Sequence, residues 1–110
     1  MQYEWRRSDL EQSNLLDNTV IIATSDHGMP FPRVKGQIYD DGFHVPLAVR
    51  WGAKIKPQRT VTDFVSFPDV APTLLDIAGI PIHPQMTGTS FKAQLIAAES
   101  GRIDANRDHA

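Results

Sequence analysis

The run Thr19-Val20-Ile21-Ile22-Ala23-Thr24 limits the fold more than any other feature of the chain. It is short, rich in β-branched residues and free of polar alternation, the pattern of a strand covered on both faces in a parallel sheet. Such a strand needs helices on either face and more strands beside it. Residues 5–16 hold good helix formers with a Leu-rich end but poor apolar spacing, which predicts a helix ending near Asp17-Asn18. His44-Val45-Pro46-Leu47-Ala48-Val49-Arg50-Trp51 predicts a second strand of the same type, with Pro46 tolerable only near its start. Residues 52–57 then turn the chain.

Two further helices follow. In residues 69–79, Val70, Leu74 and Ile77 stand at helical spacing, Pro72 suits a first turn and Gly79 suits the C-terminal cap. Phe91, Leu95 and Ala98 predict a short helix from about Thr89-Ser90, and residues 99–110 read as a polar, frayed tail. The expected class is α/β, a fragment of a mostly parallel sheet flanked by helices. With 110 residues there is room for one domain at most, and 41% hydrophobic content excludes a disordered chain. Residues 1–98 therefore read as part of a larger domain whose other strands lie elsewhere, with 99–110 appended.

Composition excludes several functions. A formal net charge of −2, with no long run of one sign, offers no field for phosphate backbones, so nucleic acid is not an expected partner. No apolar run approaches the roughly 20 residues of a membrane span, and the first residues lack a signal-peptide core. Zero cysteines remove disulfides, thiolate metal sites and cysteine nucleophiles, without identifying a compartment.

Chemistry concentrates after the first strand. Ser25-Asp26-His27-Gly28 sits at its carboxyl end, where open α/β sheets place ligands. Asp26 offers carboxylate oxygens and His27 an imidazole nitrogen, so adjacent side chains can share one divalent cation while Gly28 lets the chain turn. Taken alone, the tripeptide is more often a turn with a surface histidine than a metal site. Residues 28–42, with Gly28, Pro30, Pro32, Gly36 and Asp40-Asp41-Gly42, predict a long functional loop that carries the cation Lys35.

Asp26-His27-Gly28, then Lys35-Gly36 and Tyr39-Asp40-Asp41-Gly42 leading into Val45-Pro46-Leu47, and later Asp69-Val70-Ala71-Pro72-Thr73-Leu74-Leu75-Asp76-Ile77-Ala78-Gly79, resemble the sulfatase family in order and spacing. Met29-Pro30-Phe31-Pro32 looks closest to its N-sulfoglucosamine sulfohydrolase branch. The resemblance spans roughly residues 10–91. It implies an alkaline-phosphatase-like fold, with Asp26 and His27 as metal ligands and Lys35 as the catalytic and substrate-binding residue on a sulfate oxygen. The implied metal is calcium, with manganese or zinc as alternatives because His27 stands where many members carry Asn. The implied partner is a sulfated small molecule or glycan, and a periplasmic or secreted setting follows for the parent protein by the same resemblance.

The family's nucleophile, a formylglycine made within a Cys/Ser-x-Pro-x-Arg motif, has no counterpart here: Ser66-Phe67-Pro68-Asp69-Val70 has the proline but not the arginine. The isolated chain is therefore expected to be inactive, and to self-associate through exposed sheet edges. A phosphomonoester or phosphonate hydrolase of the same superfamily, and a non-catalytic binding module, are the competing readings. Arg33 is a further candidate for holding an acidic substrate. His44 reads as structural, His83 as a surface histidine, and Trp5 and Trp51 as packing residues.

Overall fold

The computed structural model of the chain describes residues 2–52 and 54–108, with side chains from residue 6 onward. The expected packing role of Trp5 lies outside those side chains. The described residues form two compact units, Met1–Ala53 and Lys54–Ala110.

The first unit opens with helix α1, Gln2–Gln12, whose exposed surface carries the i,i+4 pair Arg7–Glu11 at 2.9 Å. It ends earlier than residue 16 for a local reason. Asn14 takes the left-handed conformation at φ 57°, Leu15 N–H donates back to the Leu10 carbonyl at 2.9 Å, and Asn14 N–H donates to that of Glu11 at 3.1 Å. This is a Schellman closure with Asn in the position glycine usually takes. A 3-10 turn, Leu16–Asn18, leads into strand β1, Val20–Thr24.

Strand β2 is Leu47–Trp51, so Pro46 falls just before its first residue. The two strands expected to be of the parallel type pair antiparallel, from Val20 opposite Trp51 to Thr24 opposite Leu47. The connection explains the direction. Residues 25–46 contain one helical turn, α2, Asp40–Phe43, and no crossover helix that returns the chain to the far end of β1. β1 is half-buried at Val20–Ile22 and exposed beyond, rather than covered on both faces. Arg50 on β2 donates to the Leu16 carbonyl at 3.1 Å, tying the strand to the 3-10 turn.

In the second unit a 3-10 turn, Phe67–Asp69, runs directly into α3, Val70–Ala78, which Gly79 closes in the left-handed conformation as its spacing predicts. The short helix α4 is Lys92–Ile96, with Phe91 in the position before its first residue. Its C-terminal carbonyls are covered by Arg59, whose guanidinium donates to Gln94 at 3.1 Å and to Leu95 and Glu99. Phe91, 2% exposed, Pro72 and Thr73 are the largest fully buried side chains among the described residues.

Polar groups hold this small core together. The Thr73 hydroxyl donates to the Asp69 carbonyl at 2.6 Å and accepts the Phe91 N–H at 3.0 Å. Asp69, 6% exposed, accepts from the N–H groups of Ser66 and Thr89 and from Arg107. The last of these shows that the polar tail is not frayed through residue 108. Gly101 bridges Val61 in parallel fashion, the Asp63 carboxylate accepts from the N–H groups of Ile103 and Asp104 at 2.7 and 2.6 Å, and Arg107 reaches Asp69 at 2.6 Å. A segment that lacks apolar periodicity is fixed instead by charge-assisted hydrogen bonds.

Candidate functional site

Thr24 paired with Leu47 pins the two ends of the 25–46 loop side by side at the carboxyl end of β1. Two glycines fold the loop onto itself. Gly28 N–H donates to the Gly42 carbonyl at 3.2 Å, and a Cβ on Gly28 would stand 2.0 Å from the Asp41 carbonyl oxygen. A Cβ on Gly42 would meet the carbonyl oxygens of Val34 and Gln37 at 2.4 and 2.5 Å. No side chain larger than hydrogen fits either position without moving backbone.

That closure presents Asp26 and His27. The Ser25 hydroxyl donates to the His27 carbonyl at 2.6 Å, shaping the turn. His27 Nδ1 lies 2.7 Å from the Gly28 carbonyl, which can only accept, so Nδ1 carries the hydrogen. The lone pair of Nε2 in the neutral ring then faces the Asp26 carboxylate, 3.5 Å away. Two acceptors at that distance repel unless a proton or a cation stands with them. An imidazole fixed through its other nitrogen is the arrangement metal-ligating histidines adopt.

The pair is accessible, with Asp26 86% and His27 37% exposed. It fits as two ligands of a cation but does not complete a site. Among the described residues there is no group of three or more His, Cys, Asp or Glu side chains able to hold a metal ion.

Lys35 belongs to the same loop, one residue after Val34, whose Cγ1 is against Gly28. Lys35 and Arg33 make no hydrogen bond or ion pair with any described residue. Of the histidines read as bystanders, His44 sits 3.3 Å from Asp40 within one turn of α2, and His83 accepts the Gln85 N–H at 3.2 Å in an exposed turn. Trp51 is half-buried at the end of β2.

Sequence pattern gives Asp69 as a helix start and part of the family motif and places Arg107 in a polar tail, so their buried pair emerges only in the structure. Only the local role of Asp69 has a sequence signal, the capping box Ser66-Phe67-Pro68-Asp69 with Asp in the third helical position, which the structure forms.

Comparison with known proteins agrees with the motif. The family model described as N-sulphoglucosamine sulphohydrolase, C-terminal, matches residues 28–107. An ulvan-active sulfatase of Formosa agariphila is 39% identical over 106 residues, covering 90% of this chain and 18% of the relative. Arylsulfatase K of Homo sapiens is 41% identical over 86 residues, covering 74% of this chain and 16% of the relative. The solved structure of BT4656 in complex with its substrate D-glucosamine-2-N,6-O-disulfate superposes with a TM-score of 0.82 at 31% identity, over 94% of this chain and 22% of that one. The chain thus spans under a quarter of the length of the proteins it matches.

Proposed function

The chain belongs to the N-sulphoglucosamine sulphohydrolase C-terminal family of sulfatases, and on that premise we propose that it is the part of a sulfuric ester hydrolase that lends the active site two cation ligands and a sulfate-binding lysine. The observation that carries this reading is the 3.5 Å approach of His27 Nε2 to an Asp26 oxygen at the end of β1, in a chain whose relatives are sulfatases. Asp26 and His27 would hold a divalent cation, calcium first, with manganese or zinc as alternatives because one of the donors is an imidazole nitrogen. When bound, that cation supplies positive charge beside the sulfate oxygens. Lys35 neutralises charge on the departing sulfate.

The rest of the chemistry belongs to the parent protein. With no cysteine and no Cys/Ser-x-Pro-x-Arg segment here, the formylglycine nucleophile lies outside this chain, and the isolated chain is inactive. Calcium takes about six to eight oxygens, so the pair alone binds it weakly. The substrate is a sulfated glycan, an N-sulfated glucosamine being one candidate, in keeping with the disulfated glucosamine bound by the structural neighbour. β1 and β2 are part of a larger, mostly parallel, alkaline-phosphatase-like sheet. Support comes from β1, whose apolar, β-branched sequence is half-buried at Val20–Ile22 and exposed beyond, and from Leu47 of β2, 40% exposed; the large apolar side chains left exposed also favour self-association of the isolated chain.

The test uses the intact enzyme. Lys35→Ala should lower kcat/KM for nitrophenyl sulfate by about 100- to 1000-fold, and Asp26→Ala should weaken metal binding, read by calorimetry, by at least about tenfold. Exclusive cleavage of nitrophenyl phosphate, or full sulfatase activity in the Lys35 variant, would displace this reading.

A further inference from the structure

Residues 31–37 form two consecutive turns that share Val34. Val34 N–H donates to the Phe31 carbonyl at 3.1 Å, and Gln37 N–H donates to the Val34 carbonyl at 3.3 Å. Each places a left-handed residue third, the type II pattern: Arg33 at φ 68° in the first and Gly36 at φ 70° in the second. The second turn obeys the usual chemistry, since glycine takes that conformation without steric cost. The first does not. Pro32 is suited to open it, but its third position favours Gly or Asn, and arginine there is strained.

Nothing local repays that strain, because the Arg33 guanidinium has no hydrogen-bond or ion-pair partner among the described residues. Its place in the loop gives it another use. Arg33 and Lys35 flank Val34, which is anchored on Gly28 beside His27, and their Cα atoms are no more than about 7 Å apart. Two cations that have no partner among the described residues and stem from Cα atoms so close, on turns of a loop closed by Gly28 and Gly42, can reach two anionic groups of one ligand. The pair is also chemically unequal. Lysine is a point charge suited to one oxygen at the reacting group, whereas the planar guanidinium fork suits two oxygens of a fixed oxyanion.

We propose that Arg33 is a specificity-determining contact that binds a second oxyanion of the substrate, a sulfate or a carboxylate, beside the sulfate held by Lys35. The proposal rests on the reading of Lys35 given above. In the intact enzyme, Arg33→Asn keeps a residue that tolerates the left-handed turn and removes the cation. Steady-state kinetics would compare a monosulfated hexosamine, a disulfated hexosamine and a monosulfated disaccharide containing a uronic acid. The expected result is a KM about tenfold higher for one or both of the doubly charged substrates, with kcat little changed and the monosulfated substrate unaffected. The substrate that responds tells sulfate from carboxylate, and Arg33→Lys should restore only part of the loss. An unchanged KM for every substrate, or an equal shift for all three, overturns the proposal while leaving the role of Lys35 intact if Lys35→Ala still lowers kcat/KM by about 100-fold or more. Wild-type turnover in Lys35→Ala removes both.

Discussion

A carboxylate withdrawn from water stays charged only where donors replace the water it has lost. Asp63 shows this balance. Its burial works against the charge, but the N–H groups of Ile103 and Asp104 outweigh that and hold its carboxyl below the ordinary carboxylate range. Asp76 is held down in the same direction by the Ser90 hydroxyl and the Lys92 ammonium, which links the end of α3 to the start of α4. For a depressed carboxyl the folded state binds fewer protons than the unfolded one between its lowered value and the ordinary one. The stabilisation is therefore complete above the ordinary aspartate value of about 3.9, and is lost as pH falls through that value toward the lower folded one. Asp63→Asn turns an NH₂ toward one of its two donors, so it should lower the urea midpoint at pH 7 and flatten its decline in acid. A midpoint that falls as steeply in the variant as in the parent would show that this carboxylate does not carry the dependence.

At the scale of elements, boundaries follow from single residues more than from propensity averaged over a window. α1 stops at Gln12 because Asn14 can enter the left-handed region, a choice that the helix-forming residues around it conceal. Asn14→Gly should leave the chain as stable as before or slightly better, whereas Asn14→Ala should cost about 1 kcal/mol, read as a lower thermal midpoint and reduced helicity. Equal midpoints for the two variants would remove the cap from the account.

The same contrast decides what was legible in the sequence. The β-branched run of β1, the glycine-marked end of α3 and the proline-interrupted loop all rest on strong local rules, and each stands close to its expected place. The direction of β2 did not, because strand pairing depends on how residues 25–46 travel and not on β2 itself. Asp26 and His27 are neighbours in sequence, so their meeting needed no tertiary information. Asp69 and Arg107 are brought together only by the fold, and neither could be paired from spacing.

Across the whole molecule, the two units depend on different interactions. Met1–Ala53 has a ribbon of two strands with little of its apolar surface covered, which is marginal as an isolated structure. Lys54–Ala110 instead draws its tail inward, where Arg107 donates to Asp69, to the Phe64 carbonyl at 3.0 Å and to that of Ser90 at 3.3 Å. The Arg107 and Asp69 side chains are 11% and 9% exposed, so removing one partner leaves the other charge buried. Arg107→Ala should destabilise this unit by about 3 kcal/mol. Hydrogen exchange should then accelerate at the amides of α3 and α4, and unchanged rates there would contradict the role of this pair.

The antiparallel return of β2 has a consequence for how such a protein can diversify. Both ends of the 25–46 loop are fastened next to each other at Thr24 and Leu47, so its outer residues can be exchanged, lengthened or shortened without disturbing strand register. Grafting residues 29–41 from a relative between the fixed glycines would carry a foreign preference onto an unchanged frame, and natural variation has the same hinge points at its disposal.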